Sequence, residues 1–321
     1  MAKRLTTAFA LLIILAGAAC AQMPAAPPDK PPLLSEPAAS VTSETPPHFQ
    51  SSVTEVNQVF TVLDHKGHPI PDLQRTDFII KDAGRSVDNV VAFRQQAETP
   101  LNIAVAIDLS GSVSPRVGYE VEVTTKFLKR VLRPGDTGKI IGFNYVSYLI
   151  ENLAEARNKL LAIHRQEPGA GTAFYDAVIF ACDRLSAAPA TNRRDVLVVI
   201  SDGVDNGSHS SFQDALEAAV RRGVIVLALY TGYDGSTREL RTLTDMTGGQ
   251  FFSAITVRGV LNALARAEQA IRGQYLLAYR PPAFTPDGSF RLVSIRPVGK
   301  GLRVRCRKGY YADPPVGPRG K

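Results

Sequence analysis

The sequence lacks any apolar run long enough to cross a bilayer, and it has only three cysteines and five histidines among 321 residues. A transmembrane helix needs roughly 18 or more consecutive apolar residues. Basic residues are mostly scattered, and aromatic side chains are not interleaved with them as they are on nucleic-acid-binding surfaces. These absences predict a protein without a transmembrane helix and without a nucleic-acid partner.

The motifs of several enzyme classes are also absent. No Gly-x-Ser-x-Gly segment is present to form the nucleophile elbow of a serine hydrolase. No Gly-x-x-x-x-Gly-Lys-Ser/Thr segment is present to hold a nucleotide phosphate, and no histidine has the context of a catalytic triad. We therefore predict that the chain is not an enzyme.

Residues 1–21 are typical of an export signal, with a basic start, a short apolar core and small residues at the end. Cleavage before Gln22 is favoured, because Gly17 stands where lipoprotein signals have a large aliphatic residue. The alternative is cleavage at Cys20, which would give a lipid-anchored protein. Either way the protein is predicted to be exported, to the periplasm, the cell envelope or the medium.

If Cys20 leaves with the signal, only two cysteines remain, in a compartment that permits disulfides. Cys182 falls at an apolar position of a helical pattern, and Cys306 alternates with apolar residues on a predicted strand. We expect both to pack as small core residues. A disulfide between them is the alternative.

Composition and periodicity divide the chain into segments. They are a signal (1–21), a Pro/Ala-rich disordered linker (22–50), an N-terminal β segment (51–97), an α/β domain (98–272), a C-terminal β segment (273–313) and a tail (314–321). Alternating strands and helices in the central segment predict a doubly wound, mostly parallel sheet. Each β segment is small for a core of its own, so we expect the two to pair as an accessory β-sandwich-like domain. Tandem packing without this pairing is the alternative.

Oxygen-bearing side chains lie on three predicted loops of the α/β domain. Asp108, Ser110 and Ser112 come directly after a buried strand, Thr172 precedes a helix, and Asp202 follows a middle strand. Ligand sites of open α/β sheets lie beyond the carboxyl ends of their strands, where such loops meet. The sequence therefore predicts that these five side chains form one site for a hard divalent cation.

This combination resembles the von Willebrand factor type A domain, also called the integrin I-like domain, with its metal-ion-dependent adhesion site. The resemblance covers residues 100 to 272 approximately and implies a Rossmann-like sheet. The flanking β segments and the ending Gly-Leu-Arg-Val-Arg-Cys-Arg-Lys-Gly-Tyr-Tyr more narrowly resemble the bacterial exported von Willebrand factor A-related family.

The resemblance implies a role for each side chain of the site. Ser110, Ser112 and Thr172 would bind Mg²⁺, or Mn²⁺ or Ca²⁺, directly through hydroxyls, whereas Asp108 and Asp202 would act partly through water. An exposed Asp or Glu of a partner protein would complete the coordination. The expected function is thus adhesion-type protein binding.

Two other functions remain as alternatives. In a structural envelope protein, the metal would only stabilise the loops. The other alternative is a metal-dependent hydrolase. Ser110 argues against enzymes of the haloacid dehalogenase type, because these phosphotransferases need a second Asp at that position.

Four neighbouring residues have open roles at this stage. Asp205 could hydrogen-bond a metal-bound water or belong to an ordinary loop, and Asp176 is expected to stabilise the start of its helix. Tyr145 and Tyr148 could line the rim of the site or pack in the core. No metal role is expected for His65 and His68, which lack a third soft ligand nearby.

Overall fold

A computed structural model describes residues 55–96, 99–187, 193–233, 235 and 237–314. The predicted signal, its cleavage at Gln22 or Cys20, the linker 22–50 and nearly all of the tail 314–321 lie outside the described residues. Within the described ranges, no helix is both long enough and apolar enough to cross a membrane.

The chain forms strands at both ends and alternating strands and helices between them. The strands are β1 (Val56–Leu63), β2 (Phe78–Asp82), β3 (Arg85–Ser86), β4 (Val90–Gln95), β5 (Leu101–Asp108), β6 (Thr137–Phe143), β7 (Ser147–Ile150), β8 (Arg194–Ser201), β9 (Ile225–Tyr230), β10 (Phe251–Ser253), β11 (Gln274–Tyr279), β12 (Phe290–Pro297), β13 (Arg303–Cys306) and β14 (Gly309–Tyr311). The helices are α1 (Ser114–Val131), α2 (Ala156–Gln166), α3 (Phe174–Ser186), α4 (Phe212–Arg221), α5 (Arg238–Thr247) and α6 (Val257–Arg272).

The central sheet has the strand order β10-β9-β8-β5-β6-β7. Its strands are parallel except for β7, which runs antiparallel to β6. The order reverses around β5, because the chain moves from β5 to β6 on one side and to β8 on the other. This reversal is the point at which open α/β sheets bind ligands, and it lies at the end of β5.

Both faces of the central sheet are buried, which explains its nearly continuous apolar strands. Ile103, Val105 and Ile107 of β5 pack with α1, α2 and α6 in one cluster. Ala104 and Ala106 of the same strand pack with α3, α4 and α5 in the other. Because successive side chains of β5 point to opposite faces of the sheet, this one strand contributes to the core on both faces.

The flanking segments form two antiparallel sheets, with the orders β13-β1-β11-β4 and β14-β12-β2-β3. Each sheet combines strands from both ends of the chain, since β1 pairs with β11 and β2 pairs with β12. A shared core lies between them, where Phe60 stacks on Tyr275 with ring centroids 5.5 Å apart. The predicted fold class, a doubly wound domain with an accessory β-sandwich-like domain, is therefore confirmed.

The last strands contact the α/β domain through arginine side chains that follow Leu302. Arg305 Nη1 donates to Asp245 Oδ1 of α5 at 2.6 Å, and Arg307 Nη1 donates to the Val220 carbonyl of α4 at 3.5 Å. The alternation of apolar and basic residues along β13 did not predict that α5 would contact this strand. Cys182 and Cys306 are both free; Cys182 is buried, as expected of a core residue, whereas Cys306 is only partly buried.

Candidate functional site

Three loops at the carboxyl edge of the central sheet carry the predicted ligands. β5 ends at Asp108, and the chain then turns through a short 3-10 helix, Gly111–Val113, into α1. Thr172 lies just before α3, and Asp202 directly follows β8, the strand next to β5. The sheet topology thus brings together residues that are far apart in the sequence.

Hydrogen bonds join four of the five predicted ligands. Ser112 Oγ donates to Asp202 Oδ2 at 2.5 Å, and the hydroxyl oxygens of Ser110 and Ser112 lie 3.2 Å apart. The Ser110 N–H donates to Asp108 Oδ1 at 2.9 Å. These residues and Thr172 are called the oxygen cluster below.

Thr172 is linked to the others through the backbone of its loop. The Gly111 N–H donates to the Ala170 carbonyl at 2.8 Å, which holds the Thr172 loop beside the first loop. The Thr172 carbonyl accepts the N–H groups of Asn206 and Gly207 at 3.0 Å each. The loop that follows Asp202 is thereby fixed to the Thr172 loop.

Exposure of the oxygen cluster increases from its base to its mouth. Asp108 is fully buried, Ser110 is 1% exposed and Asp202 is 6% exposed, whereas Ser112 is open to solvent. Burial raises the pKa of Asp108 to about 6, although hydrogen bonds from Ser110 and Ser201 oppose the shift. The base of the cluster therefore holds a carboxylate whose charge is poorly solvated.

The donor set fits a hard divalent cation, because all five side chains offer oxygen atoms. A cation beside Asp108 would favour the ionised carboxylate that burial disfavours. The described residues contain no group of three or more His, Cys, Asp and Glu side chains that could hold a metal. Any ion in the oxygen cluster must therefore depend on hydroxyls as well as on its two carboxylates.

Asp205 and Asp176 organise the neighbouring loop. Asp205 Oδ1 accepts the Phe174 N–H at 2.7 Å and the Ser208 hydroxyl at 2.6 Å, so it caps α3 from another loop. Asp176 lies in the first turn of α3, as expected, and its carboxylate also accepts the His209 and Ser210 N–H groups at 2.8 and 3.0 Å.

The two tyrosines after β6 have different positions. Tyr148 lies on the edge strand β7 and is half-buried. Tyr145 is 56% exposed, and its ring lies close to Gly171 and Gly207, where an added Cβ would come within 2.5 and 2.6 Å of it. Tyr145 therefore lies at the rim of the oxygen cluster rather than in the core.

The sequence interpretation missed two residues beneath the oxygen cluster. Ser201 donates its hydroxyl to Asp108 Oδ2 at 2.7 Å, which occupies the second carboxylate oxygen. Glu120 of α1 is fully buried, and this burial raises its pKa to about 7 despite the nearby guanidinium of Arg116. The spacing of Arg116 and Glu120, four residues apart on an apolar helix face, was the available signal.

A family model described as "VWA domain containing CoxE-like protein" matches residues 63–246, more than half of the chain. Calcium-activated chloride channel regulator 1 from Bos taurus is 24% identical over 172 residues, which cover 51% of this chain and 18% of that protein. This chain thus spans less than a fifth of the length of the curated relatives it matches.

Solved structures with a similar fold include a von Willebrand factor type A protein from Catenulispora acidiphila. It is 12% identical with a TM-score of 0.45, and the match covers 82% of this chain and 74% of that chain. The pilus adhesin SpaC from Lactobacillus rhamnosus GG is 13% identical with a TM-score of 0.44, over 73% of this chain and 47% of that chain.

Proposed function

Because this chain belongs to the family of VWA domain containing CoxE-like proteins, we propose that it is an exported, adhesion-type protein-binding module. The oxygen cluster holds a divalent cation, and an Asp or Glu side chain of a partner protein binds to that cation. The contact between the Ser112 hydroxyl and Asp202 carries this proposal, since it joins two loops at the solvent-exposed mouth of the cluster.

The residues of the cluster divide into two roles. Ser110, Ser112 and Thr172 offer neutral hydroxyls toward the ion. Asp108 is fixed at the base by the Ser110 N–H and the Ser201 hydroxyl, so it supplies negative charge from a set position. A bound magnesium ion would supply positive charge and an open coordination position for a carboxylate.

A purely structural metal is the second candidate, and the hydrogen bonds between the loops argue against it. The three loops are already joined by Ser112 to Asp202, by Gly111 to Ala170 and by Asn206 to Thr172. A metal is therefore not needed as the main link between them. Capture of a partner carboxylate uses the same ligands and also explains the exposed mouth.

A catalytic role is not proposed, because Asp108 is fully buried and has no free carboxylate oxygen to exchange a proton with a substrate. Both of its carboxylate oxygens accept hydrogen bonds, from Ser110 and from Ser201. Ser110 also stands where a phosphotransferase of the haloacid dehalogenase type has its second acid. The same cluster is well suited to hold an ion.

The test is partner capture from a cell-envelope extract, with immobilised full-length protein in magnesium or in EDTA. Wild type is compared with Ser112→Ala and with Ser289→Ala, which removes an exposed serine of the β domain. We expect proteins that are retained in magnesium and lost in EDTA and with Ser112→Ala, but kept with Ser289→Ala. Retention that is equal in magnesium and EDTA would contradict capture through a metal.

A further inference from the structure

Exposed apolar side chains are concentrated around the oxygen cluster. Among the described residues, ten large apolar side chains are exposed, and six of them lie on loops or helix ends near this edge of the sheet. They are Tyr145, Val146, Tyr233, Ile255, Val257 and Leu261. A contiguous exposed apolar surface commonly marks a site of protein interaction.

Three of these side chains, Tyr233, Ile255 and Val257, lie on the side of the cluster where α1 and α6 meet. Between the two helices lies a cavity of about 300 Å³, called the α1–α6 pocket below, with walls that include Tyr119, Tyr233, Ile255 and Val257. Its volume is at the lower end of the range for ligand pockets, about 300–1,000 Å³. The Tyr119 hydroxyl donates to the Val257 carbonyl at 2.8 Å and fixes α1 to the start of α6.

The α1–α6 pocket shares its walls with the loops of the oxygen cluster. Tyr233 follows Gly232, which lies against Asp202, since a Cβ added to Gly232 would be 2.9 Å from the Asp202 Cβ. Pro115, another lining residue, is the third residue after Ser112. A ligand bound at the cluster would therefore have its neighbouring residues beside this pocket.

The pocket also contains an ion pair. Arg116 and Glu120 line it, and their Nε and Oε1 atoms lie 3.3 Å apart. Arg116 Nη2 is buried and has no hydrogen-bond partner, and the guanidinium lies 5.5 Å from the ring centroid of Tyr233. The pocket therefore has mainly apolar walls with one ion pair among them.

We propose that the α1–α6 pocket binds a bulky apolar side chain of the partner, within two residues of the acidic residue that the oxygen cluster captures. The inference rests on the proposed function and adds the chemistry of the partner. The partner is thus a peptide segment with Asp or Glu beside Leu, Ile, Val, Met or Phe.

The test uses an array of synthetic peptides, each with one central Asp flanked within two positions by every other amino acid in turn. Full-length protein is applied in magnesium, as wild type, Tyr233→Ser, Val257→Ser and Val298→Ser. Val257 and Val298 are 57% and 63% exposed, so the last variant is a matched control on the β domain. Magnesium affinity of every variant is measured separately by calorimetry.

We expect retention to be strongest for peptides with a bulky apolar residue at one flanking position. Tyr233→Ser and Val257→Ser should each weaken binding of these peptides about tenfold, with magnesium affinity unchanged, and Val298→Ser should have no effect. Retention without an apolar preference, or a preference that survives both variants, would overturn the inference. If magnesium binds but no peptide is retained, the inference fails while the metal site stands; if magnesium does not bind, the proposed function itself fails.

Discussion

Asp108→Asn should stabilise the metal-free protein at neutral pH, because Asp108 is a buried carboxylate with a raised pKa. Burial moves this pKa from 3.8 to about 6. A carboxyl whose pKa is higher in the folded state favours folding below pH 4 and loses this contribution as the pH rises past 6. The shift corresponds to about 3 kcal/mol of unfolding free energy at pH 7, and to less than about 1 kcal/mol at pH 4.

Asparagine keeps the local hydrogen bonds, so the charge is the main change. Its carbonyl oxygen can accept the Ser110 N–H, and its amide can donate to the Ser201 hydroxyl, which also accepts. The assay is urea unfolding of both proteins in EDTA between pH 4 and pH 8. We expect Asp108→Asn to be more stable than wild type at pH 7, with a difference that decreases toward pH 4. A variant that is less stable than wild type at pH 7 would refute the reasoning.

Three further predictions concern the surroundings of the site. Gly248→Ala should destabilise the fold by about 1–3 kcal/mol, because Gly248 has φ +81° and an added Cβ would lie 2.4 Å from the Arg307 backbone nitrogen. Thermal unfolding compares this variant with Gly118→Ala, at an open position of α1 where alanine should increase stability by about 0.5–1 kcal/mol. Asp205→Ala should cost about 1–2 kcal/mol by removing the cap of α3, measured by urea unfolding, and an unchanged midpoint would contradict the capping role. Glu120→Gln should raise stability more at pH 8 than at pH 5, since burial raises the pKa of Glu120 to about 7; a uniform gain across this range would argue against a buried charge.

The oxygen cluster could be predicted because its residues follow strands with a strong local pattern. The apolar run Leu101–Asp108 and the segment Arg194–Ser201 are nearly continuous and bounded by turn residues, so their ends, and hence Asp108 and Asp202, were placed correctly at the sheet edge. The resemblance to the von Willebrand factor type A domain is confirmed by the family match. The bound metal stays a prediction, because an ion is not part of the chain and its binding does not follow from the fold alone.

The features that sequence reasoning missed depend on contacts between distant segments. Strand β7 is four residues long and pairs at the edge of the sheet, where no apolar run distinguishes it from a loop. Ser201 gave no signal as a partner of Asp108, because a serine at a strand end is common for backbone reasons. Arg307 alternates like a solvated strand residue, yet it contacts the Asn57 carbonyl of the neighbouring strand β1. Each depends on tertiary packing.

The most direct test of the central claim is the affinity of the full-length protein for magnesium and manganese, measured by titration calorimetry at pH 7.5. Wild type is compared with Asp108→Asn, Ser112→Ala and the distant control Asp245→Asn, whose carboxylate pairs with Arg305 on the surface. We predict saturable binding by wild type and by Asp245→Asn, with a loss of at least about tenfold in the two cluster variants. Equal metal affinity in all four proteins would contradict the account.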